Sequence, residues 1–409
     1  MKKTGVKFNL SAAIILSMVF GAVAGLVGKD QMQNIKFLGD IFFRLIQMCV
    51  IPLVFCQIVE AVGGLEKGQL SSTGLKAIAS FLISSLLAAG FGVFMACVCK
   101  PGTVMRTAVA DAGEAVQAVS RGWQDTLLAF IPDNIIKAMG NGAMMQVIVI
   151  ALFVGAAISY YRSKHEKCRF YDLVHEVNGL ILHIIRVVMY MAPIGIFSYV
   201  ASTVGSMGAE SLLLLVKYLL VFGAAVVIFM VLWLLVVSVT CKLDLLKLIR
   251  KMIPMSFMAL ATTSSAITLP LEMEDAKQKI GISSRIADLV LPLGMPLNSN
   301  GAAMHMAITA ITIAQMYGFD FSFEKLIYVA IISVFLSLAN AVVPGAALVS
   351  LAMIVPQLGL PAESIAIFAG AEYIVGMYRT ILNVDSDVFC ALLVAKSENA
   401  IDYDVFQKV

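Results

Sequence analysis

Apolar runs of membrane-spanning length recur along the first 240 residues, at 10–28, 37–62, 76–99, 125–160, 172–200 and 210–240. A helix of about 20 apolar residues crosses the roughly 30 Å of bilayer hydrocarbon. The stretch 218–240 carries no charged residue, whereas 125–160 is interrupted around Pro132 and Gly140-Asn141-Gly142. Beyond residue 242 the pattern changes. The run 253–271 is short and is cut by Thr262, Thr263, Ser264 and Ser265 in succession. The run 326–360 is cut near its middle by Asn340 through Ala346, and its 35 residues are too many for one untilted span and too few for two. Both predict re-entrant helical hairpins, because irregular backbone at membrane depth survives only when protein buries it or it lines a wet cavity. Each hairpin precedes a helix with a polar interruption. One is 289–317, broken at Gly294 through Gly301, and the other is the last long helix. A hairpin followed by a broken helix, occurring twice from opposite sides, predicts an inverted repeat.

That last helix carries the most informative polar positions. At roughly 100° per residue, Glu372, Gly376, Arg379, Thr380, Asn383 and Asp387 fall within about 100° of arc on one face. An Arg or Asp at the centre of a bilayer helix costs on the order of 3 kcal/mol, so such a stripe needs partners and marks a solute and ion site. Asp385 lies well off that face. In the second span, Asp40 and Arg44 at i, i+4 predict a mutual ion pair. His183 and His305 sit in apolar helices without metal-ligand spacing and predict satisfied core histidines.

Composition fixes the class. A hydrophobic fraction of 60%, only 13% charged residues and a mean hydropathy of +0.93 identify an integral membrane protein. Its partner is the lipid bilayer. A net charge of +3 is too small to suggest a nucleic-acid partner. Lys2/Lys3/Lys7, Lys67/Lys76, Arg162/Lys164/Lys167/Arg169 and Lys242/Lys247/Arg250/Lys251 fall on one side, with Lys- and Arg-poor loops such as 202–210 between them. The positive-inside rule then places the N-terminus in the cytoplasm of a cell-membrane protein, and the C-terminus as well. The run 10–27 lacks an A-x-A cleavage context and reads as an uncleaved first span, while 110–117 reads as part of a flexible outer loop. Seven scattered cysteines show no metal spacing. An intramembrane hydrolase would need a nucleophile elbow or a metal helix, which the sequence lacks. A channel, the other rival, predicts no concentrative uptake.

Four stretches occur together: Thr262-Thr263-Ser264-Ser265-Ala266-Ile267-Thr268-Leu269-Pro270; Asn298-Ser299-Asn300-Gly301; Val343-Pro344-Gly345-Ala346 with Leu351-Ala352-Met353; and Arg379-Thr380-Ile381-Leu382-Asn383-Val384 through Ala395-Lys396. In this order and spacing they resemble the dicarboxylate/amino acid:cation symporter (glutamate transporter) family, and the likeness runs more weakly over nearly the whole chain. The resemblance implies an all-α membrane protein with eight transmembrane helices and two re-entrant hairpins, an elevator-type transporter assembled as a homotrimer. This family is among those for which inverted repeats with binding at broken helices are already known. Residues 1–70 and 111–209 would form a scaffold, 71–110 and 210–402 a mobile transport domain, and 403–409 a cytoplasmic tail.

The resemblance further implies sodium-driven import of a C4-dicarboxylate, aspartate or glutamate. Its alternatives are a proton-coupled dicarboxylate transporter or a neutral amino acid transporter of the same fold. Arg379 would hold the distal carboxylate, for which a guanidinium fork is suited. Asn383, Thr380, Ser264, Ser265, Val343, Ala347 and Gly376 would line the rest of the substrate site. Gly294, Asn298, Asn383 and Asp387 match a first sodium site, which needs carbonyl and carboxylate oxygens. Ser337, Leu338 and Asn340 match a second, and Ser84, Ser85 and Asn300 a third. The departures matter as much. Asn300 stands where the family has an aspartate, Ala302 where it has a threonine, and Gly376 where amino-acid-transporting members have an aspartate. These changes predict fewer coupled sodium ions and weaker recognition of an amino group, unless Glu372 takes over that role.

Overall fold

The computed structural model describes residues 10–65, 72–105, 131–165, 167–208, 210–339 and 346–408. Among them the chain is helical throughout and holds no β-strand. The first helices follow the apolar runs: α1 (Leu10–Gly28), α2 (Lys36–Gly63) and α3 (Ser72–Cys99). They are followed by α4 (Ile135–Gly140), α5 (Met144–Arg162), α6 (Arg169–Met189), α7 (Ala192–Met207) and α8 (Glu210–Cys241). The outer-loop expectation for 110–117 lies outside the described residues. The expected single span over 172–200 is instead two helices, α6 and α7, bent by 56° at Tyr190-Met191. Pro193 in the first turn of α7 explains the break, since proline cannot donate the hydrogen bond that would continue α6.

The polar cut at 262–265 makes a helical reversal. Asp244 caps the start of α9 (Leu245–Thr262) by accepting from Lys247 N at 2.8 Å. Thr263 ends that helix in the left-handed region, at φ +51°. Ser264, in extended conformation, then caps α10 (Ser265–Asp275) by accepting from Ile267 N at 3.4 Å. The two arms pack on each other as hairpin 1. The next helix is broken over only two residues, more tightly than the expected interval 294–301. α11 (Ser284–Leu297) ends at Asn298, and α12 (Asn300–Met316) begins after Ser299. Asn298 N still donates to Gly294 O at 2.7 Å, which keeps the interruption compact. Hairpin 2 has arms α13 (Phe323–Ser337) and α14 (Ala346–Gln357), and short helical turns over 362–371 lead into α15 (Glu372–Ser397). A final short helix, α16, spans Tyr403–Gln407.

Packing divides the helices into two groups. In one, α2 packs against α5, α6 and α7, and α1 lies along α7. Glu60 of α2 ties this group together: Oε1 lies 2.7 Å from His175 Nδ1, and Oε2 accepts from Asn178 Nδ2 at 2.6 Å. Asp40 does not pair with Arg44. It accepts from Tyr199 Oη of α7 at 2.6 Å, because the interhelical hydroxyl is the closer partner. His183 is exposed on the outer face of α6 rather than in the core. The other group is built on α15, which packs against α3, α8, α9, α11 and α12. α8, α3 and α1 expose many large apolar side chains, such as Leu220, Ile83 and Phe20, as a lipid-facing surface requires.

Candidate functional site

The site lies where both hairpins and the α11–α12 break meet α15. Two close backbone approaches build it. A Cβ on Gly301 would overlap the backbone of Arg379, so only glycine lets the start of α12 cross α15 there. A Cβ on Gly294 would lie 2.5 Å from Asp387 Oδ1, so this glycine brings the end of α11 onto the carboxylate.

Arg379 is 4% exposed, and its Nη2 donates to Ser350 Oγ of hairpin 2 at 3.3 Å. Glu372, two turns earlier, reaches the same hairpin. Its Oε1 accepts from Ala347 N at 3.2 Å and its Oε2 from Leu348 N at 3.1 Å, which caps α14 with a negative charge at its N-terminus. The Ala347 amide and both Glu372 oxygens are thereby engaged in holding hairpin 2 to α15. Gly376 faces the hairpin 1 tip, where a Cβ would meet Thr263 at an ordinary 3.8 Å, so a Cβ is accommodated. Thr380 Oγ1 donates back to Gly376 O at 2.8 Å, and Asn383 Oδ1 accepts from Gly301 N at 2.7 Å, capping α12.

Two polar clusters lie deeper. In the first, Asn298 Nδ2 donates to Asp387 Oδ1 at 2.8 Å, while Asn298 Oδ1 is buried and accepts no hydrogen bond. An orphaned amide oxygen beside a 1% exposed carboxylate is a donor set suited to a hard cation. In the second, Ser85 Oγ donates to Asn300 Oδ1 at 2.8 Å and Asn300 Nδ2 donates to Ser84 Oγ. These three side chains satisfy one another without a net charge.

The residues expected at the second sodium site divide. Ser337 is buried, donating to Val334 O at 2.7 Å, and Leu338 lies in the turn after α13. Asn340 and Val343 lie outside the described residues. Ser264 and Ser265 sit at the hairpin 1 tip, where Ser264 serves as the helix cap. Asp385, expected off the stripe, is buried and held by Ser256 Oγ of α9 at 2.8 and 3.0 Å. His305 is buried, but its Nδ1 has no partner, so it is not the satisfied core histidine expected. Sequence reasoning missed Ser350 as the Arg379 partner and Glu372 as a cap. A lone serine in the apolar run of α14 was the available signal for the former.

The model of the sodium:dicarboxylate symporter family matches residues 10–397, nearly the whole chain. The chain belongs to that family. It is 31% identical to a proton/glutamate-aspartate symporter of Escherichia coli (strain K12), over 97% of this chain and 94% of that protein. A proton/sodium-glutamate symport protein of Bacillus subtilis (strain 168) is 28% identical, over 96% and 94%. A C4-dicarboxylate transport protein of the same organism is 27% identical, again over 96% and 94%. The family is one of symporters, which are membrane transporters and not enzymes.

Proposed function

We propose that this chain is a secondary symporter that imports a C4-dicarboxylate, coupled to sodium, by elevator movement of the α15-centred group against the α1–α2–α5–α6–α7 group within a homotrimer. The observation that carries the substrate reading is Arg379. It is a buried guanidinium that reaches Ser350 of hairpin 2, on a helix turn whose backbone is crossed by the start of α12 and whose Gly376 faces the hairpin 1 tip. Its fork suits bidentate binding of one carboxylate of a small diacid. Ser264 and Ser265 at the tip, together with Thr380 and Asn383, would hold the other end.

The amine is the discriminating group. Gly376 contributes no carboxylate, and each Glu372 oxygen already accepts a hairpin N–H, so an ammonium would have to share that carboxylate with the helix cap. This favours succinate-like diacids over aspartate. Competition by succinate and aspartate for radiolabelled uptake tests it, and a clear preference for aspartate contradicts it. Gly294, Asn298, Asn383 and Asp387 would take the first coupling cation. The neutral Ser84–Ser85–Asn300 cluster would take none, which a count of bound sodium lowered by Ser85→Ala would contradict. Proton coupling is a second reading, favoured by the relative named as a proton/glutamate-aspartate symporter.

A further inference from the structure

The face that α10 turns inward is polar from end to end. Its buried residues are Ser265, Thr268, Glu272 and Asp275, at the i, i+3, i+7 and i+10 positions of one helical face. A helix buried against protein ordinarily presents an apolar stripe there. Three of the four have an evident reason. Ser265 belongs to the tip, Thr268 Oγ1 donates to Ser264 O at 2.9 Å, and Asp275, whose oxygens accept no hydrogen bond, is offset by Lys279 Nζ at 2.6 Å. Glu272 has none: it is 1% exposed, and its Oε1 accepts no hydrogen bond.

α10 packs against α9, α11 and α15 and runs into the turn 276–280. From α15, Asp387 and Asp385 are the charged groups whose fields reach Glu272. From α9, Ser256 is committed to Asp385, Lys247 and Lys251 are bonded to Gln407 and Lys408 of the tail, and Arg250 is exposed. From α11, Arg285 reaches Glu398 and Asp288 pairs with Lys277. Lys279 is taken by Asp275. Among the described residues no cationic side chain faces Glu272. At the end of α11, which packs against both α10 and α15, Asn298 Oδ1 is also buried without a donor, while its Nδ2 is spent on Asp387.

Buried carboxylates are tolerated when a positive charge offsets them. Two buried acceptor oxygens without donors, Glu272 Oε1 on α10 and Asn298 Oδ1 at the end of α11, thus lie on helices packed together, and the latter belongs to the side chain bonded to Asp387. A single proton can satisfy one of them, whereas a hard metal ion takes several oxygens at once. We propose that Glu272 is the charge-bearing ligand of a further cation position between hairpin 1 and α15, adjoining the Asn298–Asp387 position, and that it takes sodium. One monovalent ion then accompanies each of the two carboxylates. The polar face from Ser265 to Asp275 links that position to both ends of the hairpin arm. The inference rests on reading Asp387 as a cation ligand.

The test counts bound ions on the purified full-length protein. Equilibrium binding of radioactive sodium is expected to fall by one ion per chain in Glu272→Gln, and the Hill slope of sodium-dependent uptake in proteoliposomes by about one. Glu272→Asp is expected to keep the wild-type count with half-saturation raised about tenfold, the scale on which altered metal-site support acts. Should Glu272→Gln not yield folded protein, the Asp variant decides alone, and unchanged half-saturation overturns the proposal. An unchanged ion count in Glu272→Gln overturns it too, as does wild-type protein that binds no sodium. The binding measurement needs no transported substrate. Failure of the transport reading therefore has its own signature, namely sodium counted without accumulation of any diacid.

Discussion

At the residue scale, the proposed substrate site is a balance between one fixed cation and the acceptors around it. Arg379 reaches hairpin 2 through Ser350, while Glu372, seven residues earlier, is spent on capping that same hairpin. Replacing Arg379 by Lys keeps the charge but removes the planar fork. Dicarboxylate uptake is expected to fall at least about tenfold, read as kcat/KM in proteoliposomes. Gly376→Asp is the complementary change. An added Cβ meets Thr263 only at an ordinary contact distance, and the change places a carboxylate near the hairpin tip. The ratio of aspartate to succinate affinity is expected to rise by about tenfold, the scale of one charge-assisted hydrogen bond of roughly 1.5 kcal/mol. An unchanged ratio in competition assays would show that position 376 does not see the amine.

At the element scale, hairpins and breaks were legible because their signals are local. Four consecutive Thr and Ser residues at 262–265 cannot sit in lipid, and they form the αL turn and cap that reverse the chain. The stripe on the last helix followed from 3.6-residue periodicity alone. What escaped the sequence depends on partners far along the chain. Asp40 chooses Tyr199 over Arg44, Glu372 caps a helix 24 to 25 residues upstream, and the bend after Met189 hides inside a continuous apolar run. The α12–α15 crossing makes its own prediction. Gly301→Ala forces a Cβ into the Arg379 backbone and is expected to cost about 1–3 kcal/mol, seen as a lower melting temperature in detergent.

The end of α15 is held by charge. Glu398, just past Ser397, accepts from Lys76 of α3 and lies 3.5 Å from Arg285 of α11. The hydrogen bond from Lys76 holds its carboxyl below the ordinary carboxylate value. A depressed folded-state value means that this contact stabilises above the unfolded pKa, about 4.3 for a glutamate, and is lost as pH falls through the folded value. In Lys76→Ala the Glu398 titration, followed by carboxyl NMR, is expected to move upward. A titration that stays in place contradicts the assignment.

At the scale of the whole molecule, two packing groups meet along a limited seam. α7 touches α8 and the turns at 362–371, α2 touches α14, and α1 approaches α15. Met18 of α1 packs against Gly370 at this seam, where an added Cβ would lie 2.9 Å from Met18 Cγ. A disulfide between Met18→Cys and Gly370→Cys, in a background free of the native cysteines, is expected to stop uptake while substrate binding persists. Uptake at the uncrosslinked rate by fully crosslinked protein would show that the groups do not move apart.

Gradient-driven import of a diacid is the proposed activity of this chain. Its most direct measurement is radiolabelled succinate uptake into proteoliposomes under an inward sodium gradient, repeated without sodium under an inward proton gradient. Accumulation above the equilibrium level under the sodium gradient, abolished by its collapse, is the predicted result. Succinate that only equilibrates under either gradient would contradict the account.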